Sequence, residues 1–300
     1  MGKLACFGVG ALEYIVPGAG YGITGQWDKV LLMGGSRWII EKKAFANYIS
    51  PYYQPNIEDI YKTTSYKDSQ SGKDETKIYF NKETWLADYY FSLDSNLIFT
   101  SWGDLYQSGC KESTELYSNL LAPFNVSHFY NKLSFWIPIA LVLGSNQSFN
   151  KNNKVEYFLG NGLTESNIRQ DSFSQFYFVG LGEEMIFRAT IQDALFYTYK
   201  DSIGISQSWS RHLSIYSASI IFGFAHNGSG FSAQPLAALL FGVYQGYVYH
   251  PSDDEFDLTT AIAIHSWWDL IVTYTILNNA KFNESENAVS YPLMNISFNF

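Results

Sequence analysis

Charge is scarce in this chain of 300 residues: Asp, Glu, Lys and Arg together make up 16%, against roughly 25% in a typical soluble protein. What charge there is leans acidic, with 19 Lys and Arg against 28 Asp and Glu for a formal net charge of −9. No basic stripe is present to neutralise phosphates, which argues against a nucleic-acid partner. Cys6 and Cys110 are the two cysteines, too few for a disulfide framework or a thiolate metal site. Leu4-Ala5-Cys6 resembles the end of a lipoprotein signal, but no apolar stretch precedes it, and no cleavable signal peptide is read. Long apolar runs are missing too: no stretch of 18 uninterrupted apolar residues occurs, and the mean hydropathy is −0.10. Membrane spans, if the chain has them, are short, interrupted by polar groups, or confined to part of it.

Against these absences stand 47% hydrophobic and 18% aromatic residues. The 23 Phe and 23 Tyr are also what codon bias produces, and that reading stays open. A sharper signal is local. From Leu213 to Ser252 the chain holds no Asp, Glu, Lys or Arg over forty residues, which is hard to reconcile with a freely solvated surface and points to membrane embedding.

Read in order, residues 8–40 are two apolar pieces around Pro17-Gly18. They predict a tight helical hairpin whose small residues suit close packing in lipid, with Arg37, Lys42 and Lys43 as its charged flank. Residues 50–83 turn polar and read as a loop or linker. Residues 85–109 alternate Asp88, Asp94 and Asp104 with aromatics, which fits an interfacial amphipathic helix between Trp85 and Trp102 as well as a soluble helix with an aromatic core face. Residues 129–145 are apolar, with Pro138 as a kink. A polar connection follows, expected outside the membrane and holding a domain boundary. Helices are then predicted over about 171–200, 206–226, 233–250 and 258–278.

Three of these helices carry polar groups in apolar surroundings. FYFVGLGEEMIFR holds Glu183, Glu184 and Arg188; IIFGFAHNGSG ends an apolar run on His226; AIAIHSWWDLI places His265 and Asp269 one turn apart. A buried charge must be paired, hydrogen-bonded or neutralised. On a helix Glu184 and Arg188 pair across four residues, while Glu183, about 100° round the axis, points elsewhere. Isolated polar groups on apolar helices face one another or a water-filled cavity, so Glu183, His226 and His265 are expected to converge. His128, His212 and His250 lack such partners and read as structural or surface residues.

The order EExxxR (Glu183, Glu184, Arg188), FxxxH (Phe222, His226) and HxxxD (His265, Asp269) resembles the CPBP family of intramembrane proteases, which includes the CAAX prenyl endopeptidases and bacteriocin-processing enzymes. LLFGVYQGYVYH, with Gly242 and Gly246 four apart, is similar to the helix that family places between its histidine helices. The resemblance covers roughly residues 171–280. It implies an all-α, multi-pass transmembrane bundle in a bacterial-type inner membrane, with the lipid bilayer and a peptide or protein substrate as partners. Together with the segment readings above, it divides the chain into a glycine-rich membrane hairpin (1–48), a polar loop and amphipathic helical region (49–130), the peptidase-like bundle (131–280) and a loosely structured tail (281–300). By the same resemblance Glu183 is the general base, His226 holds the attacking water, His265 donates to the oxyanion, and Glu184 and Arg188 form a pair that orients the helix. Asp269 departs from the commoner Asn, which can donate where an ionised carboxylate cannot; Asp269 is therefore protonated, orients His265, or binds a metal. The preferred mechanism needs no cofactor. Yet His226, His265, Glu183 and Asp269 also form a zinc-type ligand set, which keeps a zinc-dependent metallopeptidase open. The rivals from other classes are a catalytically inactive membrane scaffold or immunity-type protein with the same bundle, and a soluble helical metal hydrolase.

Overall fold

In a computed structural model, residues 2–50, 66–67, 74–80, 82–160, 162–226 and 233–284 are described. Most of the expected loop between 50 and 83, the Gly-Ser turn after His226 and the tail from 285 lie outside the described residues. The principal helices are α1 (Lys3–Ala11), α2 (27–48), α3 (Lys82–Gln107), α4 (Leu133–Asn152), α5 (165–202), α6 (Gln207–Ala225), α7 (Ala233–Tyr249) and α8 (Leu258–Asn279). The helix type and order match the expectation for the second half of the chain. α5 starts earlier than predicted because Thr164 and Asn167 form a reciprocal capping box ahead of Glu165. It also widens into π-helical turns over Phe187–Gln192 and Thr198–Ser202.

α5 runs between α3 and α8, and two glycines let it touch both. A Cβ on Gly182 would lie 2.7 Å from the Asn96 carbonyl of α3, and one on Gly180 would lie 2.5 Å from the Ser266 amide of α8. No side chain fits at either contact, so the backbone that carries Glu183 and Glu184 is gripped from two sides.

The N-terminal segment is helical, with α1 and α2 both packed on α3, but its charges do not lie where they were expected. Arg37, read as part of a solvated flank, is fully buried. Its Nε donates to Asp94 at 2.9 Å, and its other nitrogens reach the Glu13 carbonyl at 2.7 Å, the Glu13 carboxylate at 3.2 Å and Glu41 at 3.1 Å. Glu13 in turn accepts the amides of Gly18 (2.9 Å) and Gly20 (2.8 Å), which closes the Pro17-Gly18 turn. Lys29 pairs with Asp104 at 2.7 Å, and Tyr21 donates to the same carboxylate at 3.0 Å. Asp94 and Asp104 belong to α3, whose carboxylates are therefore paired inside the bundle. These pairs span 57 and 75 residues, beyond the reach of local periodicity, which sees each charge without its partner. Cys6 and Cys110 form one disulfide between α1 and the turn after α3, with a sequence separation of 104 residues. Closing a loop of that length restricts the unfolded chain by on the order of 4–5 kcal/mol.

A small sheet is the main departure from the predicted all-helical plan. β1 (Tyr66–Lys67), β2 (Asp74–Phe80), β3 (Asn153–Leu159) and β4 (Lys281–Glu284) stand in the order β1-β2-β3-β4, antiparallel for the first pair and parallel for the others. It gathers segments read as linker, polar connection and tail. Tyr157 and Leu159 of β3 and Phe282 of β4 pack with Trp85, Ile168 and Leu277 at the ends of α3, α5 and α8. The pairings of β3, such as Asn153 with Asp74, join segments far apart in the chain and leave no periodic trace in either one.

Two further details place α4 and α8. Pro138 removes the amide that would bond the Ser134 carbonyl, and the Tyr244 hydroxyl of α7 donates there instead. Asp257 caps α8 by accepting the Thr260 amide at 3.1 Å and pairs with Lys132 at 2.6 Å and His128 at 2.8 Å. Burial pushes the Asp257 carboxyl up, but Lys132, Thr260 and His128 outweigh it and hold the group below the usual carboxylate range.

Among the described residues no helix is long and apolar enough to cross a membrane, so the expected multi-pass transmembrane bundle stands as a helical bundle. The reason is the polar interior: α3, α5 and α8 carry buried Asp94, Asp104, Glu184, Arg188, His265 and Asp269, which lower their hydropathy. Large apolar side chains face outward instead, among them Ile15 (75% exposed), Leu31 (78%), Leu133 (76%) and Trp209 (65%).

Candidate active site

Glu183 and Glu184 sit at the end of the regular part of α5, adjacent in sequence and turned to different neighbours. Glu184 points into the bundle and is fully buried. Its Oε1 lies 2.7 Å from His265 Nδ1 on α8, and its Oε2 lies 3.3 Å from Arg188 Nε. The second contact is an ion pair and not a hydrogen bond, since neither atom has a hydrogen-bond partner. Arg188 is fully buried, stands over the Phe222 ring at 5.4 Å and donates to Gln192 at 3.3 Å. The π-turn that begins at Phe187 changes where the carbonyls point. Thr190 Oγ1 donates to the Met185 carbonyl at 2.8 Å, and Gln107 donates to the Ala189 carbonyl.

Glu183 points to α6 and α8. Its Oε2 is 3.6 Å from His226 Nε2 and 3.7 Å from His265 Nε2, and it has no hydrogen-bond partner. Both distances exceed a direct hydrogen bond. A water about 2.8 Å from each atom would bridge either pair as the apex of a triangle. The proton positions on the rings follow from what the other nitrogens face. His226 Nδ1 lies 2.8 Å from the Phe222 carbonyl, an acceptor only, so Nδ1 carries a hydrogen and donates. His265 Nδ1 faces the Glu184 carboxylate and must also carry one. Both Nε2 atoms are then left to the same carboxylate oxygen. His265 Nε2 has a second acidic neighbour, Asp269 Oδ2 at 3.6 Å, while Asp269 Oδ1 is buried without a partner.

Aromatic rings fix the two imidazoles. Phe222 stands 4.3 Å from His226 and 6.1 Å from His265, and Phe241 of α7 stands 5.2 Å from His265. The site is a polar triangle with apolar walls, where electrostatic interactions are stronger than in water.

The structure thus brings Glu183, Glu184, Arg188, His226, His265 and Asp269 into one cluster. The Glu184–Arg188 pair, read as a unit of its own, is extended: Glu184 also holds His265, which no spacing along one helix discloses. Among the described residues no group of three or more His, Cys, Asp or Glu side chains is placed to hold a metal ion, and His265 Nδ1 is occupied by Glu184. The other histidines lie elsewhere: His128 on Asp257, His212 on the Tyr247 hydroxyl at 2.8 Å, and His250 stacked on Phe256 at 4.2 Å. Two buried amides escaped the sequence reading. Gln192 donates to the Gly246 carbonyl at 3.1 Å, and Gln245 reaches Glu184. Only Gln245 carried a signal, as an amide in the run without formal charge.

Comparison with curated proteins and with solved structures gives no match. A family model does match: that of the type II CAAX prenyl endopeptidase Rce1-like proteins, over residues 170–271. Every group of the cluster falls inside that interval, so the segment that holds the site is similar to the Rce1-like type II CAAX prenyl endopeptidases.

Proposed function

We propose that this protein is an intramembrane endopeptidase in which Glu183 activates water to hydrolyse a peptide bond. The observation that carries the reading is the position of Glu183 Oε2 between the Nε2 atoms of His226 and His265, at 3.6 and 3.7 Å, with both Nδ1 atoms engaged elsewhere. A water held by Glu183 and His226 gives its proton to Glu183 as its oxygen attacks the carbonyl carbon. The negative charge that develops on the carbonyl oxygen is met by His265, which donates from Nε2 once it carries its second proton. Glu184 at 2.7 Å stabilises that charged ring from the Nδ1 side. Glu183 then hands its proton to the leaving nitrogen as the C–N bond breaks. Asp269, whose Oδ2 lies 3.6 Å from the same Nε2, orients His265 from that side.

The membrane setting draws support from the outward apolar side chains of α2, α4 and α6, including Leu31, Leu133 and Trp209, and from the family. Exposed apolar side chains together with charges paired inside suit lipid as solvent. An alkaline carbonate wash of expressing cells is expected to leave the protein in the membrane pellet, with release only by detergent. Release into plain buffer would end the membrane part of this reading.

The metal-free route is tested at Asp269. Asp269→Asn is expected to keep wild-type activity on a prenylated CaaX-type peptide, or to exceed it by up to about tenfold, because Asn adds a hydrogen-bond donor beside the oxyanion. A strong chelator should leave both proteins active. Stoichiometric zinc in the purified protein together with an inactive Asp269→Asn variant would establish a metallopeptidase instead.

A further inference from the structure

α7 crosses α5 at three positions. Gly242 makes room for the arginine: a Cβ there would lie 3.3 Å from Arg188 NH2 and 3.2 Å from Phe222 Cδ1. Gly246 does the same for the amide of Gln192, since a Cβ would lie 3.0 Å from its Oε1. Between the two glycines, Gln245 projects toward Glu184 and is fully buried. Its Nε2 lies 3.4 Å from Glu184 Oε1 and 3.0 Å from the Ala261 carbonyl. Both neighbours are acceptors, so the nitrogen and not the oxygen of the amide must face them. Ala261 lies one helical turn before His265 on α8. One amide therefore ties the carboxylate of α5 to the helix that carries the histidine.

Nothing in the chemistry above uses Gln245, and its own Oε1 has no hydrogen-bond partner. An amide in an apolar helix with an unpaired acceptor is unfavourable unless its donor side has a role. Glu184 Oε1 is the atom that receives His265 Nδ1–H, so whatever holds that oxygen sets the tilt of the imidazole and the direction of Nε2. We propose that Gln245 is a positioning residue: its amide pins the Glu184 carboxylate against His265 Nδ1 and thereby aims His265 Nε2 at the reacting centre. The effect on catalysis rests on the reading of Glu183 and His265 given above; the effect on the Glu184–His265 contact does not.

The test uses the full-length protein in detergent. Gln245→Met keeps the size and removes the donor. Gln245→Glu restores a donor only while its carboxyl is protonated, facing Glu184 and Arg188 of α5 and His265 of α8. Two readouts are taken: the His265 Nδ1 proton in spectra of protein labelled with 15N-histidine, assigned with His265→Gln, and steady-state cleavage of a prenylated CaaX-type peptide. In Gln245→Met the downfield, slowly exchanging Nδ1 proton of His265 is expected to broaden or vanish. kcat should fall about 10- to 100-fold while KM stays within about twofold, the pattern of lost alignment in place of lost binding. In Gln245→Glu the signal and the activity relative to wild type should recover as pH is lowered, a dependence that a merely structural glutamine would not create. An unchanged Nδ1 resonance in Gln245→Met overturns the proposal, whatever the activity does. If the wild-type protein cleaves nothing and the resonance is nevertheless lost, the positioning role stands and the protease reading is what fails.

Discussion

Glu183→Gln is expected to fold and insert as the wild-type protein does and to lose peptide hydrolysis, with kcat lowered about 10²- to 10⁴-fold, the usual range for removal of a general base. Gln has nearly the shape of Glu and keeps an oxygen that can hold water, but it cannot take the proton. Folding is spared because Glu183 Oε2 has no hydrogen-bond partner to lose and lies 3.6 Å or more from either histidine. Removing a carboxylate from this apolar surrounding also removes a desolvation penalty, so stability should hold or rise. The measurement is cleavage of a prenylated CaaX-type peptide beside the yield of monodisperse protein. Activity equal to wild type would exclude Glu183 as the base.

Arg188→Ala should do the reverse and act first on folding. Glu184 and Arg188 are both fully buried and 3.3 Å apart. Truncating the arginine leaves Glu184 as a charge whose remaining partners are His265 at 2.7 Å and Gln245 at 3.4 Å. Breaking one side of a buried pair generally destabilises by ~3–5 kcal/mol. The substitution also empties the space over the Phe222 ring, which the guanidinium occupies at 5.4 Å. The expected result is a severe loss of folded protein on size-exclusion chromatography. Combining Arg188→Ala with Glu184→Gln tests the mechanism, because it removes the stranded charge. Yield should recover in the double variant, while activity should not, since His265 has then lost the carboxylate on its Nδ1. If the double variant is as poorly folded as Arg188→Ala alone, the loss is one of packing and the pairing account is wrong.

The two experiments separate residues that sequence spacing treats alike. Glu183 and Glu184 are neighbours with the same side chain, and helical geometry alone said that they diverge. Which of them meets a histidine ring nitrogen at hydrogen-bond distance was decided by α8, which arrives 81 residues later. Gln245 shows the same limit from the other side: its place in a run without formal charge was visible, but not that its amide closes on Glu184, 61 residues away.

The sequence by itself determined the helices of the second half and the polar groups on them, because those signals repeat within one or two turns: Glu184 with Arg188, His265 with Asp269, Gly242 with Gly246. Tertiary structure alone decided where the charges of the first half lie. Arg37 reads as a flank residue until Glu13 and Asp94 are brought to it, and α3 reads equally as an interfacial helix or as one with an aromatic core face until Lys29 and Arg37 occupy its carboxylates. It alone decided the sheet as well, whose strands β2, β3 and β4 come from three distant polar segments. The physical reason is common to all of these. Helical periodicity records which face of a segment avoids water, whereas a buried ion pair or a strand pairing depends on a partner elsewhere in the chain, and the energy of that contact leaves no mark on either segment taken singly.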